Sequence, residues 1–217
     1  VINYTSGTTS YSKGVMLPYR SLWSNTTFAF EVLPLKAGDK IVSMLPMAHM
    51  YGLAFEFLYE FAVGCHIFFL TRMPSPKIIF QAFTEVKPNL IVAVPLIIEK
   101  IIKKSVLPKL ETPAMKLLLK VPIINDKIKA TVRDQMIQAF GGNFAEIIVG
   151  GAAFNQEVEQ FLKMIDFPYT VGYGMTECGP IICHSPWHET AYMSCGRAAE
   201  GMELKVLSSD PARIPGE

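Results

Sequence analysis

A chain of 217 residues with 50% hydrophobic residues can build a substantial core, and we expect one large domain or part of one. The formal net charge of +1, without runs of lysine and arginine, excludes an extended nucleic-acid-binding surface. No apolar stretch approaches the roughly 18 residues that a membrane span requires. The 4 cysteines match no recognised zinc spacing and are typical of a reducing cytoplasm, so we expect a cytoplasmic protein.

The chain starts with a short apolar strand end and continues into a hydroxyl-rich loop, Tyr4–Val15, with the sequence YTSGTTSYSKGV. Glycines let backbone N–H groups approach an anion, hydroxyls add donors, and Lys13 adds a positive charge. The loop is not a Walker A motif, because Ser12 and Gly14 stand where that motif has its second glycine and its Ser/Thr. The alternative is a flexible Ser/Gly connector. We predict a phosphate-binding loop.

Beyond this loop, short apolar runs alternate with helical patterns, which predicts an α/β fold with a mainly parallel sheet flanked by helices. The tail is expected to begin an antiparallel layer with a half-exposed strand at Glu203–Leu207. Pro108 and Pro113 are expected to break the chain between two helices. The predicted strands are Lys40–Leu45, Cys65–Leu70, Leu90–Val94, Glu146–Val149 and Tyr169–Tyr173, and the helices include Ser21–Val32, a helix capped by Ser75 and a helix capped by Asn155.

Three further stretches carry candidate functional groups, and each has a simpler alternative. His49 lies at a predicted strand-to-helix switch, where a structural histidine is the alternative. A glycine pair begins the segment Gly150–Ala153 after a strand, either to face a ligand or to allow tight packing. The segment Tyr173–Glu177 (YGMTE) offers a hydroxyl and a carboxylate, which suit a phosphate oxygen and Mg²⁺. Its alternative is an ordinary turn with a solvated Glu177.

Together these stretches resemble the motifs of the adenylate-forming superfamily, which includes acyl-CoA synthetases, amino-acid-activating domains and luciferases. Tyr4–Val15 is similar to the YTSGTTGxPKGV loop, with Ser10 and Ser12 replacing the usual glycine and proline. The other stretches resemble the PMxHxxGL, GGA and YGxTE motifs. Val94–Ile101 looks like the VPxxxEK segment of fatty acyl-CoA synthetases. The subgroup that the chain resembles is the long-chain fatty acyl-CoA synthetases.

The resemblance implies an acid-thiol ligase with ATP, Mg²⁺ and coenzyme A as cofactors or substrates. A fatty acid would be converted to an acyl adenylate with release of pyrophosphate, and coenzyme A would then take the acyl group and release AMP. It implies catalytic roles for Lys13, His49, Thr176 and Glu177, with Glu177 binding the metal. It implies nucleotide binding by Thr5, Ser6, Gly7, Thr8, Thr9, Lys13, Gly151, Ala152, Ala153, Tyr173, Gly174 and Thr176.

The resemblance also implies that Phe55 and Phe57 help line an acyl tunnel and that Ile98 occupies a position that bears on chain length. Two alternatives stay open: an adenylate-forming ligase for an aryl, short-chain or amino acid, and a catalytically silent binding module of the same fold. Peripheral contact with the inner face of a membrane stays open too, and the oligomeric state is not predicted.

The first and last residues predict that 1–217 is part of the large N-terminal domain of an acyl-CoA synthetase. The resemblance places a ribose-binding aspartate and a mobile C-terminal domain with a catalytic lysine beyond Glu217. We therefore expect the 217-residue chain alone to form little or no acyl-CoA.

Overall fold

The computed structural model describes residues 1–6, 11–110, 112 and 122–205. The strands are Ile2–Ser6 (β1), Ser12–Met16 (β2), Lys40–Ser43 (β3), His66–Phe69 (β4), Ile91–Ala93 (β5), Ile147–Val149 (β6), Tyr169–Val171 (β7), Tyr173–Gly174 (β8), Ile181–His184 (β9) and Arg197–Ala198 (β10). The helices are Tyr19–Val32 (α1), Met50–Leu53 (α2), Tyr59–Val63 (α3), Pro76–Val86 (α4), Pro95–Ser105 (α5), Leu107–Leu110 (α6), Pro122–Ala139 (α7) and Gln156–Met164 (α8). A π-helical turn, Ala54–Leu58, joins α2 to α3, and a 3₁₀ turn covers Thr176–Cys178.

Parallel strands form the centre of the fold, which confirms the predicted α/β class. The order β5-β6-β7 makes one parallel sheet, and β3 pairs in parallel with β4. Strand β3 lies beside β5, since the Lys40 carbonyl oxygen accepts a hydrogen bond from the Asn89 N–H at 2.8 Å. The helices between successive strands provide the crossovers that parallel pairing requires.

The core lies on both faces of the parallel sheet, which explains why its strands read as continuous apolar runs. Ile147 and Val149 belong to one hydrophobic cluster, whereas Ile148 between them belongs to the other. Successive side chains of a strand point to opposite faces, so each face of β6 is buried against helices. The first cluster includes Phe83 and Phe140, and the second includes Tyr59.

The predicted antiparallel layer near the C-terminus is confirmed, but its expected strand and the expected break at Pro108 need correction. Glu203–Lys205 form no strand, and residues 206 and 207 of that predicted strand lie outside the described part of the chain. The antiparallel layer begins earlier, because Tyr173 leaves the parallel sheet after Val171 and pairs with Cys183, in a sheet of order β10-β9-β8. Pro108 lies in the first turn of α6, where its missing N–H breaks no hydrogen bond, so the chain breaks at Val106 instead. Pro113 lies outside the described residues.

The start of the chain forms a β-hairpin that the sequence did not predict. Strands β1 and β2 pair antiparallel as a separate sheet, with Ile2 opposite Met16 and Ser6 opposite Ser12. Within the described residues, no helix is both long enough and apolar enough to cross a membrane.

Candidate functional site

The hairpin carries the ends of the predicted phosphate-binding loop. Thr5 lies opposite Lys13, and Ser6 lies opposite Ser12 at the end of the ladder. Gly7, Thr8 and Thr9 lie outside the described residues. The Asn3 side-chain amide donates a hydrogen bond to the Ala48 carbonyl oxygen at 2.8 Å. This bond ties the hairpin to the residue that precedes His49.

His49 lies where strand β3 gives way to helix α2, as the sequence predicts. Its Nδ1 accepts a hydrogen bond from the Tyr51 N–H at 3.3 Å, so the side chain caps the helix. A nitrogen that accepts carries no proton, which leaves the proton of the neutral ring on Nε2. The exposed His49 ring therefore presents an N–H donor, the group that a carboxylate or phosphate oxygen needs.

The buried carboxylate of Glu56 shapes the loop in front of His49. Its Oε2 accepts hydrogen bonds from the Leu45 N–H at 2.6 Å and the Met44 N–H at 2.9 Å, and from the Ser43 hydroxyl at 3.3 Å. Burial raises the pKa of Glu56 to about 7, and the bonds from Leu45, Met44 and Ser43 oppose this rise. One carboxylate from the π-helical turn thus satisfies two backbone donors at the end of β3.

The glycine pair after β6 fits closely against Tyr51. The Tyr51 hydroxyl donates to the Ile148 carbonyl oxygen at 3.1 Å, and a Cβ on Gly150 would lie 3.1 Å from the Tyr51 Cζ. Gly151 has a φ of +87°, a left-handed conformation that favours glycine. The chain can therefore turn away from the sheet here and expose backbone at the end of β6. Ala152 and Ala153 follow on this exposed turn.

Helix α1 holds the turn that carries Thr176 and Glu177. The Asn25 Oδ1 accepts a hydrogen bond from the Ile181 N–H at 2.8 Å. Its Nδ2 donates to the Ser21 carbonyl oxygen at 2.8 Å and to the Cys178 carbonyl oxygen at 3.4 Å. Asn25 is only 1% exposed, so these bonds are shielded from water. Asn25 therefore links helix α1 by hydrogen bonds to Cys178 within the turn and to Ile181 after it.

The Thr176–Cys178 turn also lies next to strand β2, which carries Lys13. Cα atoms of the two elements approach to within 8 Å of each other. Both Lys13 and Glu177 are exposed, so their charged ends are free to reach a ligand. Among the described residues, no group of three histidine, cysteine, aspartate or glutamate side chains could hold a metal by itself. Glu177 suits Mg²⁺ only as a single carboxylate that acts together with ligand phosphates.

Two cavities meet at the carboxyl ends of β6 and β7, and they share Gly151, Gly172, Tyr173 and Gly174. The first has a volume of about 60 Å³, with His49 and Thr176 among its polar residues. The apolar residues of its wall are Phe28, Val32, Leu33, Phe55, Ile148, Met175, Pro180 and Ile181. The second has a volume of about 440 Å³ and is bordered by Ala152, Ala153, Gln156, Glu159 and Ser194, among others.

The structure therefore brings together several of the predicted site residues and leaves others apart. His49, Gly151, Tyr173, Gly174 and Thr176 line the first cavity, and Ala152 and Ala153 line the second. Lys13 and Glu177 lie outside both cavity walls, on neighbouring elements.

The aromatic and aliphatic residues that were expected to line an acyl tunnel lie in different parts of the structure. Phe55 lines the first cavity, whereas Phe57 stacks with Phe61 at 5.8 Å between ring centroids, away from that cavity. Ile98 is 1% exposed and belongs to the hydrophobic core. A tunnel wall at Phe57 or Ile98 is therefore not part of this cavity.

Sequence reasoning missed four buried polar residues that shape the site: Asn25, Tyr51, Glu56 and His184. A signal for Glu56 was available, because a carboxylate inside an apolar helical pattern must find internal donors or stay protonated. Asn25 offered a weaker signal, as a polar residue one turn before Phe28 and Ala29 on a helix. Their partners lie far away in sequence, so only the fold reveals what they bind.

Comparison with known proteins agrees with this geometry. A family model described as "AMP-binding enzyme" matches residues 1–217. The long-chain-fatty-acid–CoA ligase ACSBG2 of Rattus norvegicus is 30% identical over 93% of this chain and 34% of its own length. The long-chain-fatty-acid–CoA ligase 2 of Schizosaccharomyces pombe is 30% identical over 94% of this chain and 32% of its own length. The chain thus spans about a third of the length of these curated relatives.

Solved structures show the same fold. The O-succinylbenzoate coenzyme A synthetase of Bacillus subtilis, in complex with ATP and magnesium ion, has a TM-score of 0.71 and 18% identity, over 100% of this chain and 39% of its own. A benzoate CoA ligase from Burkholderia xenovorans has a TM-score of 0.66 and 18% identity, over 92% of this chain and 34% of its own. With a family model that matches throughout, with these relatives, and with three of the motif segments around one cavity, the chain belongs to the AMP-binding enzyme family.

Proposed function

We propose that the protein containing this chain activates a fatty acid with ATP and transfers the acyl group to coenzyme A. In the first step a carboxylate oxygen bonds to the α-phosphorus of ATP, and the bond to pyrophosphate breaks. In the second step the sulfur of coenzyme A bonds to the acyl carbon, and AMP leaves. The relatives that match at 30% identity are named as long-chain-fatty-acid–CoA ligases, which supports a fatty acid as the substrate.

The observation that carries the proposal is the shared wall between the two cavities. The larger cavity, of about 440 Å³, borders the Gly151–Ala153 turn and Tyr173, and it has the room for a nucleotide. The smaller, largely apolar cavity borders the same wall and has room for the carboxyl end of an acyl group. An acid in one cavity and a nucleotide in the other would meet at Tyr173 and Gly174, where a carboxylate can reach an α-phosphate.

The polar groups at this meeting point suit a reaction in which charge is redistributed on phosphate. A carboxylic acid is already ionised at neutral pH, so its activation needs positioning more than proton transfer. The His49 Nε2–H and the Thr176 hydroxyl can donate to the acid and to the α-phosphate, while Lys13 on β2 can reach the outer phosphates. Magnesium, bound at Glu177 with the phosphates, would neutralise part of their charge.

The test is ATP–pyrophosphate exchange on the intact protein with a panel of acids. The panel contains saturated fatty acids of increasing length, aryl acids and amino acids. Exchange driven by fatty acids, with little or none from aryl or amino acids, would support the proposal. Exchange that only an aryl or amino acid supports would replace the fatty acid as the substrate, and no exchange with any acid would favour a silent module.

One observation favours a second candidate, an acid shorter than a long-chain fatty acid. The smaller cavity measures about 60 Å³ and is bordered by the bulky side chains of Val32, Leu33 and Phe55. Such a volume holds only a few groups of the size of a water molecule. The same panel decides between the two, because a short-chain ligase would show kcat/KM falling steeply once the chain exceeds the cavity.

A further inference from the structure

Strand β5 and helix α5, which meet at the segment that resembles the VPxxxEK motif, hold both ends of the glycine turn. At one end, the Ala93 carbonyl oxygen accepts a hydrogen bond from the Gly150 N–H at 3.0 Å. At the other end, the Glu99 Oε1 accepts a hydrogen bond from the Asn155 N–H at 3.0 Å. The turn between these two bonds, Gly151–Ala153, lines the larger cavity.

The turn itself has little support between its two ends. Among the described residues, the backbone N–H groups of Gly151, Ala152 and Ala153 take part in no hydrogen bond, and all three residues are exposed. Backbone that is exposed and makes no internal hydrogen bonds opens at low cost. The position of this part of the cavity wall therefore depends on the bonds at its two ends.

The bond from Glu99 completes the N-terminal cap of helix α8. Asn155 is the N-cap residue, and its Oδ1 accepts a hydrogen bond from the Val158 N–H at 3.2 Å. In a capping box, the side chain of the third helical residue accepts a bond from the N–H of the N-cap residue in return. The third residue here is Val158, which is fully buried and has no acceptor, so a carboxylate from helix α5 takes that role. Its negative charge is also favoured at a helix N-terminus.

We propose that Glu99 is a positioning residue for the nucleotide, because its bond to the Asn155 N–H fixes the Gly151–Ala153 turn at the wall of the larger cavity. The inference rests on the proposed function, which places the nucleotide in that cavity. Glu99 lies outside both cavity walls, so it acts through Asn155 and not by contact with a ligand. The VPxxxEK-like segment thus serves the nucleotide through Glu99, while the neighbouring Ile98 packs in the core.

The experiment measures ATP binding to the intact protein by isothermal titration calorimetry. Glu99→Met keeps the length of the side chain and loses both oxygens, and we expect it to raise the Kd for ATP at least about fivefold. Glu99→Gln keeps an acceptor and should recover most of the affinity. Glu157→Met, at an exposed carboxylate in the first turn of α8, is the matched control for lost charge and should leave the Kd unchanged. Calorimetry reports the number of sites separately from the Kd, so a smaller folded fraction does not imitate the effect.

Hydrogen exchange of the Asn155 amide in wild type requires no variant. If the bond to Glu99 and the binding of ATP are coupled, ATP should slow this exchange, since linkage acts in both directions. The same measurement therefore decides the matter if Glu99→Met folds poorly. An Asn155 amide whose exchange ATP leaves unchanged would overturn the assignment.

Pyrophosphate exchange separates this inference from the proposed function. With a fatty acid as substrate, Glu99→Met should raise the KM for ATP and leave the KM for the acid nearly unchanged, which a general loss of stability would not do. Equal Kd and KM values in Glu99→Met and wild type would overturn the role of Glu99, while exchange by wild type would still support the proposed function. A wild type that exchanges with no acid, but whose ATP affinity falls in Glu99→Met, would overturn the proposed function and support the role of Glu99.

Discussion

The Ile181 N–H donates a hydrogen bond to the Asn25 Oδ1 at 2.8 Å, across 156 positions of sequence. This bond joins the helix that follows the Lys13 strand to the far side of the turn that carries Thr176 and Glu177. Gly179 lies between them, and a Cβ there would come within 2.9 Å of the Ser21 Cβ. The position of the Glu177 turn relative to helix α1 therefore depends on one buried amide.

Replacing Asn25 tests this dependence. Asn25→Ala leaves the Ile181 N–H without an acceptor, and we expect the free energy of unfolding to fall by about 1 to 3 kcal/mol in urea titrations. The rate of pyrophosphate exchange should fall by more than the decrease in the fraction of folded protein accounts for. Asn25→Asp keeps the acceptor and should recover part of both. Thr27→Ala, on the exposed side of the same helix, should change neither. Equal activities of folded Asn25→Ala and wild type would contradict a positioning role.

Lys13 and Glu177 test the proposed charge stabilisation. If both act on the phosphates in the transition state, Lys13→Ala and Glu177→Gln should each lower kcat for pyrophosphate exchange by at least about a hundredfold. Both side chains are exposed, so the free energy of unfolding should stay close to that of wild type. Lys77→Ala and Glu85→Gln serve as matched controls on α4. Unchanged exchange rates in both test variants would favour a silent module.

Two neighbouring glycines should respond very differently to the same substitution. A Cβ on Gly174 would overlap the Pro180 carbonyl oxygen, whereas the nearest atom to a Cβ on Gly172 is the Ile181 Cδ1 at 3.7 Å. We expect Gly174→Ala to lower the free energy of unfolding by about 2 kcal/mol or more, because β8 can no longer lie this close to the segment before β9. Gly172→Ala should fold normally. Thermal unfolding of both variants compares them directly, and equal melting temperatures would count against the β8 geometry.

The buried carboxylate of Glu60 should make stability depend on pH. Burial, together with a smaller contribution from the nearby Glu56, raises the pKa of Glu60 from 4.5 to about 8. Between these two values the folded protein binds more protons than the unfolded chain, so the free energy of unfolding falls as the pH rises. Glu60→Gln cannot titrate, and each unit of the raised pKa corresponds to about 1.4 kcal/mol.

We therefore expect Glu60→Gln to be more stable than wild type at pH 8, by about 1 kcal/mol or more. Its free energy of unfolding should also fall less between pH 5 and pH 8 than that of wild type. Urea unfolding at several pH values measures both effects. The titrations of Glu56 and Glu146, whose pKa values burial raises to about 7, should account for the slope that remains. Glu85→Gln, at an exposed carboxylate of α4, should leave the pH profile unchanged. A parallel profile for Glu60→Gln and wild type would contradict the prediction.

The parallel core was predictable from sequence because its strands are short apolar runs, such as Ile147–Val149, that follow helical patterns. The caps of α4 and α8 were predictable too, since Ser75 and Asn155 accept hydrogen bonds from residues three positions later. These features depend on local chemistry. The predicted motif positions depended on resemblance, and the structure gathers His49, Tyr173 and Thr176 around one cavity.

The features that sequence reasoning missed depend on contacts between distant residues. Ser12–Met16 has no clean alternation of apolar and polar residues, so its pairing with Ile2–Ser6 left no pattern to find. Tyr173 continues the run of β7 in sequence, yet it pairs with Cys183 because the neighbouring strand β6 has already ended at Val149. The sequence gives little sign that Asn25 differs from other helical residues, because its partner Ile181 is distant in the sequence.

Tyr173 and Gly174 line both cavities, so ligands bound in the two cavities would contact the same two residues. If a nucleotide displaces the half-exposed Tyr173 ring, the shape of the cavity proposed to bind the acid changes. Thermodynamic linkage then makes the influence mutual: whatever factor the first ligand imposes on the affinity of the second, the second imposes on the first. If an acid and a nucleotide occupy the two cavities as proposed, binding of either one therefore changes the affinity for the other.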